Sequence, residues 1–447
     1  KIMGDSTSIG SIANSIVALG RHAVVNAFPN RQALKAHQHR NEMLTTVKQI
    51  WIDGILTASL YEGVAMETTF SPVPDAVSGD PLTRRMHLPP TASASAIPTA
   101  QIADYFDGLG SHKRTLLILG EPGSGKTTAM LMLARQGIAQ AMQDGVAPIP
   151  IIFHLASWSK QRLPLAQWLV AEFKELYAVA EKQAGHWVQQ AELLLLLDGL
   201  DEVEERYQAA CVAAINRFVA DYKLATVVCC RQQEYTQLPM PLDFTAAVQL
   251  NRPDQESIEH YLETVNPSRS NHLHQLIKKN ATIQEMAQSP LMLNTMLQAY
   301  EETAVTSQAP AVSLAEYREQ LFDTYIHQRL SQIGKLRGSY PDQQTIQWLI
   351  WLARQLLRHN QSIFLIEKLQ PDWLSSRQLR WAYFLLSRAS LALVSGLIGG
   401  LVLGIGFAVY EERWLEGVTR GLVEGGLAGL IAGLVVAGID LWRMELL

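Results

Sequence analysis

The sequence predicts an α/β unit built on a parallel sheet, then an all-helical stretch, then an apolar helical tail. Three observations predict it. Short apolar runs at 115–119, 149–154, 193–197 and 225–230 alternate with amphipathic patterns at 127–142, 164–180 and 203–221. Near-continuous apolar strands separated by helices mark a parallel sheet covered on both faces. After Asn251 the strand patterns cease, and helical periodicity follows at 254–265, 272–287, 313–331, 343–359 and 376–388. Beyond Arg388 the composition shifts, with 12 of the 29 glycines lying there among Leu, Val, Ile and Ala.

A chain of 447 residues is long enough for two to four domains. The formal net charge of −5 argues against a global attraction to nucleic acid, and no nucleic-acid partner is expected. The three cysteines, Cys211, Cys229 and Cys230, make no disulfide framework and fit a reducing compartment. The adjacent pair at a strand end is most simply core packing. The twelve histidines show no HExxH or Cys/His ligand spacing, so no structural metal site is expected.

Taken in order, residues 1–30 form a Ser/Ile-rich arm without the basic start and long apolar core of a signal peptide. Its repeated Ser-Ile units suit either stacking between chains or a flexible arm. From 31 to 61 the apolar residues Leu34, Met43, Leu44, Val47, Ile50, Trp51, Ile55 and Leu56 share one helical stripe. Six of the 19 prolines fall in 67–100, which reads as an unpacked linker.

Gly120-Glu121-Pro122-Gly123-Ser124-Gly125-Lys126-Thr127 fits the phosphate-binding loop pattern completely. An apolar strand precedes it, and a good helix begins at Thr127. The glycines let backbone N–H groups turn inward around a phosphate at the positive end of that helix. Lys126 would reach the β- and γ-phosphates, and the Thr127 hydroxyl would ligate Mg²⁺.

The leucine run 193–197 leads directly into Asp198-Gly199-Leu200-Asp201-Glu202. That places Asp198 at the C-terminal mouth of a central strand, where ligands bind in open α/β sheets. Asp198 is the candidate magnesium carboxylate. Asp201 and Glu202 are near enough to orient or deprotonate an attacking water, or to cap the helix that follows. The sequence does not choose between those two acids. Arg231 ends the strand 225–230, either as a sensor of a γ-phosphate or as an ordinary loop arginine.

Together GEPGSGKTT at 120–128, LLLLLDGLDEV at 193–203 and VVCCRQQEY at 227–235 resemble the NACHT branch of the STAND NTPases, bacterial members in particular. The resemblance extends over about 100–385. It implies an α/β P-loop NTPase with an AAA-like parallel sheet, followed by helical and winged-helix domains. It makes ATP/ADP and Mg²⁺ the cofactors, extends the loop contacts to Thr128, and sets Pro290 of Ser289-Pro290-Leu291 against the adenine. It also implies a slow ATPase serving as a switch, in which an ADP-bound monomer opens, exchanges nucleotide and joins a homo-oligomer. No convincing motif for the family's histidine contact is evident, His359 being only a weak candidate, and no sensor of tandem repeats follows 388. The trigger is therefore unknown. The resulting division is 1–30 arm, 31–66 helical segment, 67–100 linker, 101–251 NACHT nucleotide-binding domain, 252–310 small helical domain, 311–388 winged-helix-like domain and 389–447 glycine-rich hairpin.

The stretch 389–410 is 22 residues without a charge, enough to cross a hydrocarbon core of about 30 Å. Gly396, Gly400 and Gly404 repeat at four-residue spacing, as do Gly425, Gly429 and Gly433. Only 425–439 of the second stretch is uncharged, about 22 Å of helix and short of a full span. A transmembrane helical hairpin touching membrane lipid is expected. The NTPase domains would be cytoplasmic, at the inner membrane of a prokaryote, with antiviral defence the role the family implies. The rival is an ATP-driven membrane machine or transporter-associated ATPase, although no LSGGQ signature is present.

Overall fold

The structure is a computed structural model that describes residues 31–60, 64–78, 96–110, 114–265, 267–299, 314–336, 341–358, 364, 373–374, 376–411 and 414–445. The expectations for the 1–30 arm and for His359 lie outside the described residues. Two compact units are present, residues 1–349 and 350–447.

In the first unit seven strands form one sheet: β1 (Thr69–Pro72), β2 (Ile97–Pro98), β3 (Thr115–Gly120), β4 (Ile149–His154), β5 (Leu193–Asp198), β6 (Ala225–Arg231) and β7 (Ala246–Leu250). Their spatial order is β2-β1-β7-β3-β6-β5-β4. Strands β7, β3, β6, β5 and β4 are mutually parallel, while β1 runs antiparallel to both β7 and β2. Every residue of β3 and β5 is buried, as expected for strands covered on both faces. The register sets Gly120 beside Arg231 and His154 beside Asp198, so the C-terminal ends of four parallel strands meet at one end of the sheet.

Two features depart from the sequence reading. The segment expected to be an unpacked linker supplies β1 and β2, and Phe70 of β1 is fully buried. Proline is tolerated in edge strands, and full burial of a Phe side chain is worth about 1.5–3 kcal/mol. Residues 79–95 lie outside the described residues. The fifth parallel strand, β7, was not anticipated, because Ala-Ala-Val-Gln-Leu is short and weakly apolar.

Helix α1 (Arg31–Val47) continues through π-helical turns at Lys48–Leu56. It buries Met43, Leu44, Val47, Trp51, Ile52 and Leu56. It packs against β4 and against α2 (Lys126–Gln143), the helix that leaves the phosphate loop. Arg40 fastens the packing by donating to the carbonyls of Ala141, Asp144 and Ala147. The 31–59 segment is thus part of the sheet's covering layer. Further layers come from α3 (Leu165–Tyr177), α4 (Glu181–Gln189) and α5 (Glu205–Tyr222). Cys229 and Cys230 are buried free thiols in β6, consistent with core packing.

Helices α6 (Gln255–Val265), α7 (Pro267–Lys279), α8 (Ala281–Ala287), α9 (Pro290–Ala299) and α10 (Leu314–Leu336) share a second core. It includes Tyr261, Leu273, Ile283, Leu293, Met296 and Leu321, with Val64 and Met66 packed against it. The single helix expected over 272–287 is broken at Asn280, whose side chain accepts from the Thr282 and Ile283 amides as an N-cap. Within 311–388 the described residues are helical, and no strand of a winged helix is among them.

In the second unit, α11 (Arg377–Glu411) runs unbroken through the expected boundary at 388 and packs along α12 (Trp414–Glu445). Gly396 and Gly400 face Gly421, Gly425 and Gly429 so closely that a Cβ at Gly400 would overlap the Gly421 carbonyl. Among the described residues one helical stretch, Arg377–Val402, is long and apolar enough to cross a membrane by length and composition.

Candidate functional site

The phosphate loop leaves β3 and enters α2 through Gly123 and Gly125, both left-handed at φ +74° and +93°. An L side chain rarely adopts that conformation, which is why glycine stands at both positions. Lys126 Nζ donates to the carbonyls of Gly120 at 3.0 Å and Glu121 at 2.9 Å, so the ammonium stays over its own loop. Ser124 is buried, with its hydroxyl unpartnered.

The two predicted magnesium ligands meet. Thr127 Oγ1 donates to Asp198 Oδ2 at 2.8 Å, and Asp198 is nearly buried. A hydroxyl and one carboxylate at a phosphate loop are the hard oxygen donors Mg²⁺ takes alongside substrate phosphates and water. The residues therefore fit the ion: Thr127 and Asp198 would hold it, and it would neutralise charge on the phosphates.

The two acids left open by the sequence stand in different surroundings. Asp201 accepts the Arg231 backbone N–H at 3.1 Å on Oδ1, and Arg231 Nε lies 2.9 Å from its Oδ2. Glu234 also approaches Arg231, at 3.5 Å. Gly199, left-handed at φ +75°, lets the chain turn so that Glu202 folds over it; a Cβ there would stand 3.0 Å from Glu202 Cδ. Burial first, and then the charges of Asp198 and Asp201, push the Glu202 carboxyl above its ordinary value, against the pull of Arg231 and Lys126. A raised carboxyl beside a magnesium carboxylate has the character of a general base.

Beside the loop lies a cavity of about 270 Å³. The loop residues Gly123 to Thr128 form one wall. Val64, Ala65, Met66 and Met132 form a second, with Tyr261, Pro290, Leu291 and Asn294 opposite. Pro290 thus lines the same, mostly apolar space as the phosphate loop. The α9 turn also touches the loop itself: Ser289 Oγ donates to the Gly123 carbonyl at 3.3 Å, as does the Leu291 N–H. On the other side of the loop, Glu121 is gripped by Arg252 in a two-pronged pair at 2.9 Å per hydrogen bond. Gln288 accepts from the same guanidinium. Glu121, Pro122 and Ser124 line a second cavity there, of about 240 Å³.

The phosphate loop, the acidic strand end and the helical lid therefore come together at one place. Residues 114–292 match the NACHT domain. The NACHT domain is a nucleotide-binding P-loop NTPase domain of the STAND type, and it covers the sheet from β3 onward together with the lid as far as Met292. No curated protein matches the chain. The chain is also similar to the solved structure of C. elegans PCH-2, at 11% identity and a TM-score of 0.26, over 58% of this chain and 74% of that one.

Several residues lining this site escaped the sequence reading. Val64 to Met66, Tyr261 and Asn294 were missed because nothing in local periodicity links the segment before β1 to a lid two hundred residues later. Asn294 makes that link directly, donating to the Ser59 carbonyl at 3.1 Å. Arg252 follows the unanticipated β7. His154, at the end of β4, was open to the same strand-end reasoning that singled out Asp198.

Proposed function

We propose that this protein is an ATP-dependent STAND-type switch whose slow, magnesium-dependent hydrolysis resets it. The carrying observation is that lid and phosphate loop share hydrogen bonds at Gly123 while Thr127 and Asp198 meet behind them. Nucleotide in the adjoining cavity would touch both parts, and ATP and ADP would differ in their contacts near Asp198, Glu202 and Arg231. A ligand shifts a two-state equilibrium only through such differential contacts.

Within the site, Lys126 and the loop amides bind phosphate, Thr127 and Asp198 hold magnesium, and Glu202 withdraws a proton from the attacking water. Asp201 orients Arg231. Pro290 and Tyr261 cover the base. In this reading the ATP form releases the lid, exposes new surface and gathers subunits into a homo-oligomer. The exposed apolar residues of the α11–α12 hairpin, Leu391, Val394, Ile398 and Val402 among them, favour action at a membrane. A prokaryotic inner-membrane location and a role in antiviral defence follow from the family resemblance. The test is to image the full chain in detergent with ADP and with a slowly hydrolysed ATP analogue. Oligomers confined to the ATP analogue support the switch; the same species in both states argues against it.

A further inference from the structure

His154 belongs to none of the motifs that assign the site, yet it stands beside Asp198 in register across β4 and β5. Its Nδ1 lies 4.0 Å from Asp198 Oδ2. Both ring nitrogens are closed off from solvent, and neither makes a hydrogen bond. A buried polar group left in that state favours any rearrangement that satisfies it. Closing the gap to hydrogen-bond distance needs a movement of only about 1 Å.

The ring has a fixed back wall. Trp51 packs on it with centroids 5.4 Å apart, and the Trp51 indole N–H donates to the Tyr177 hydroxyl at 2.9 Å. That hydroxyl in turn donates to the Ile152 carbonyl at 2.8 Å, on the same strand as His154. The helical segment 31–59 therefore comes within one tilted ring contact of the residue beside Asp198. On the β6 side, among the described residues, Arg231 is committed to Asp201 and Glu234.

We propose that His154 is a positioning residue for Asp198: its Nδ1–H donates to Oδ2 and aims the carboxylate, and Trp51 makes that contact depend on the seating of the N-terminal helical segment. The inference rests on the reading of Thr127 and Asp198 as magnesium ligands. Partners that orient a ligating carboxylate typically contribute 10–100-fold in metal affinity.

The test measures nucleotide affinity of the full chain by calorimetry in EDTA and across a magnesium titration. His154→Ala should raise the magnesium concentration for half-maximal tightening about tenfold, with the EDTA affinity unchanged. A merely structural role would move both. His154→Asn keeps a donor near the Nδ1 position and should recover most of the loss, which keeps the test decisive if the alanine variant folds poorly. Trp51→Phe should shift the titration in the same direction by a smaller factor. An unchanged magnesium midpoint in His154→Ala overturns the proposal; where the alanine variant also loses EDTA binding, equal magnesium midpoints in His154→Asn and His154→Leu overturn it. A wild-type chain whose nucleotide affinity ignores magnesium would remove the metal reading itself.

Discussion

Arg231 and Asp201 meet twice, through the Arg231 backbone N–H at 3.1 Å and its Nε at 2.9 Å. This double contact occupies Asp201, and in the proposed mechanism Glu202 is the acid that acts on water. Glu202→Gln should lower single-turnover hydrolysis by roughly 100-fold or more while sparing nucleotide binding. Asp201→Asn should instead weaken the hold on Arg231 and cost about 1 kcal/mol of stability, the pair being partly exposed. Rapid-quench hydrolysis and urea unfolding of the two variants separate these roles.

The raised Glu202 carboxyl also carries a stability signature. The folded chain holds that proton more tightly than the unfolded chain. Its contribution is therefore fully present below the ordinary carboxylate value and is lost as pH rises through the raised one. Glu202→Gln abolishes the loss. In urea titrations without nucleotide the variant should gain on wild type as pH increases from 4 to 7; a constant difference would contradict the assignment.

Gly123 couples the phosphate loop to the lid. An alanine there meets Ser289 Oγ at 2.8 Å and Leu291 Cβ at 3.1 Å, on a backbone at φ +74°. Gly123→Ala should cost about 1–2 kcal/mol in backbone strain alone and loosen the α9 turn. Hydrogen exchange over 289–299 should accelerate, whereas full protection there would show that the lid does not depend on this contact.

The hairpin depends on backbone-to-backbone approach at glycine. Gly400→Leu cannot fit against Gly421 without separating α11 from α12. Exchange protection across 396–404 and 421–429 should fall in the variant. Wild-type protein should also float with lipid vesicles on a density gradient, and residence in the soluble fraction would count against a membrane role.

Much of the site was legible because its chemistry is local. Residues 120–128 carry their own turn geometry, and the leucines of β5 deliver Asp198 to a strand mouth by simple alternation of element types. What escaped was assembled by tertiary contact. Phe70 and β1 lay hidden in a proline-rich stretch whose composition resembles a linker, although pairing with β7 orders it. The cavity beside the loop brings Met66 and Asn294 together through folding alone. The choice between Asp201 and Glu202 needed Arg231 placed in space, since both acids are equivalent as letters. The 388 boundary dissolved because a helix can pass from charged to apolar composition without a break.

The decisive measurement is calorimetric titration of the full chain with ATP in the presence of magnesium, alongside Lys126→Ala. Wild type should bind near one equivalent, and the variant, having lost the ammonium of the loop, should bind at least tenfold more weakly at an unchanged melting temperature. Equal affinity in the two proteins, or no binding by wild type, would contradict a magnesium–nucleotide site at this loop.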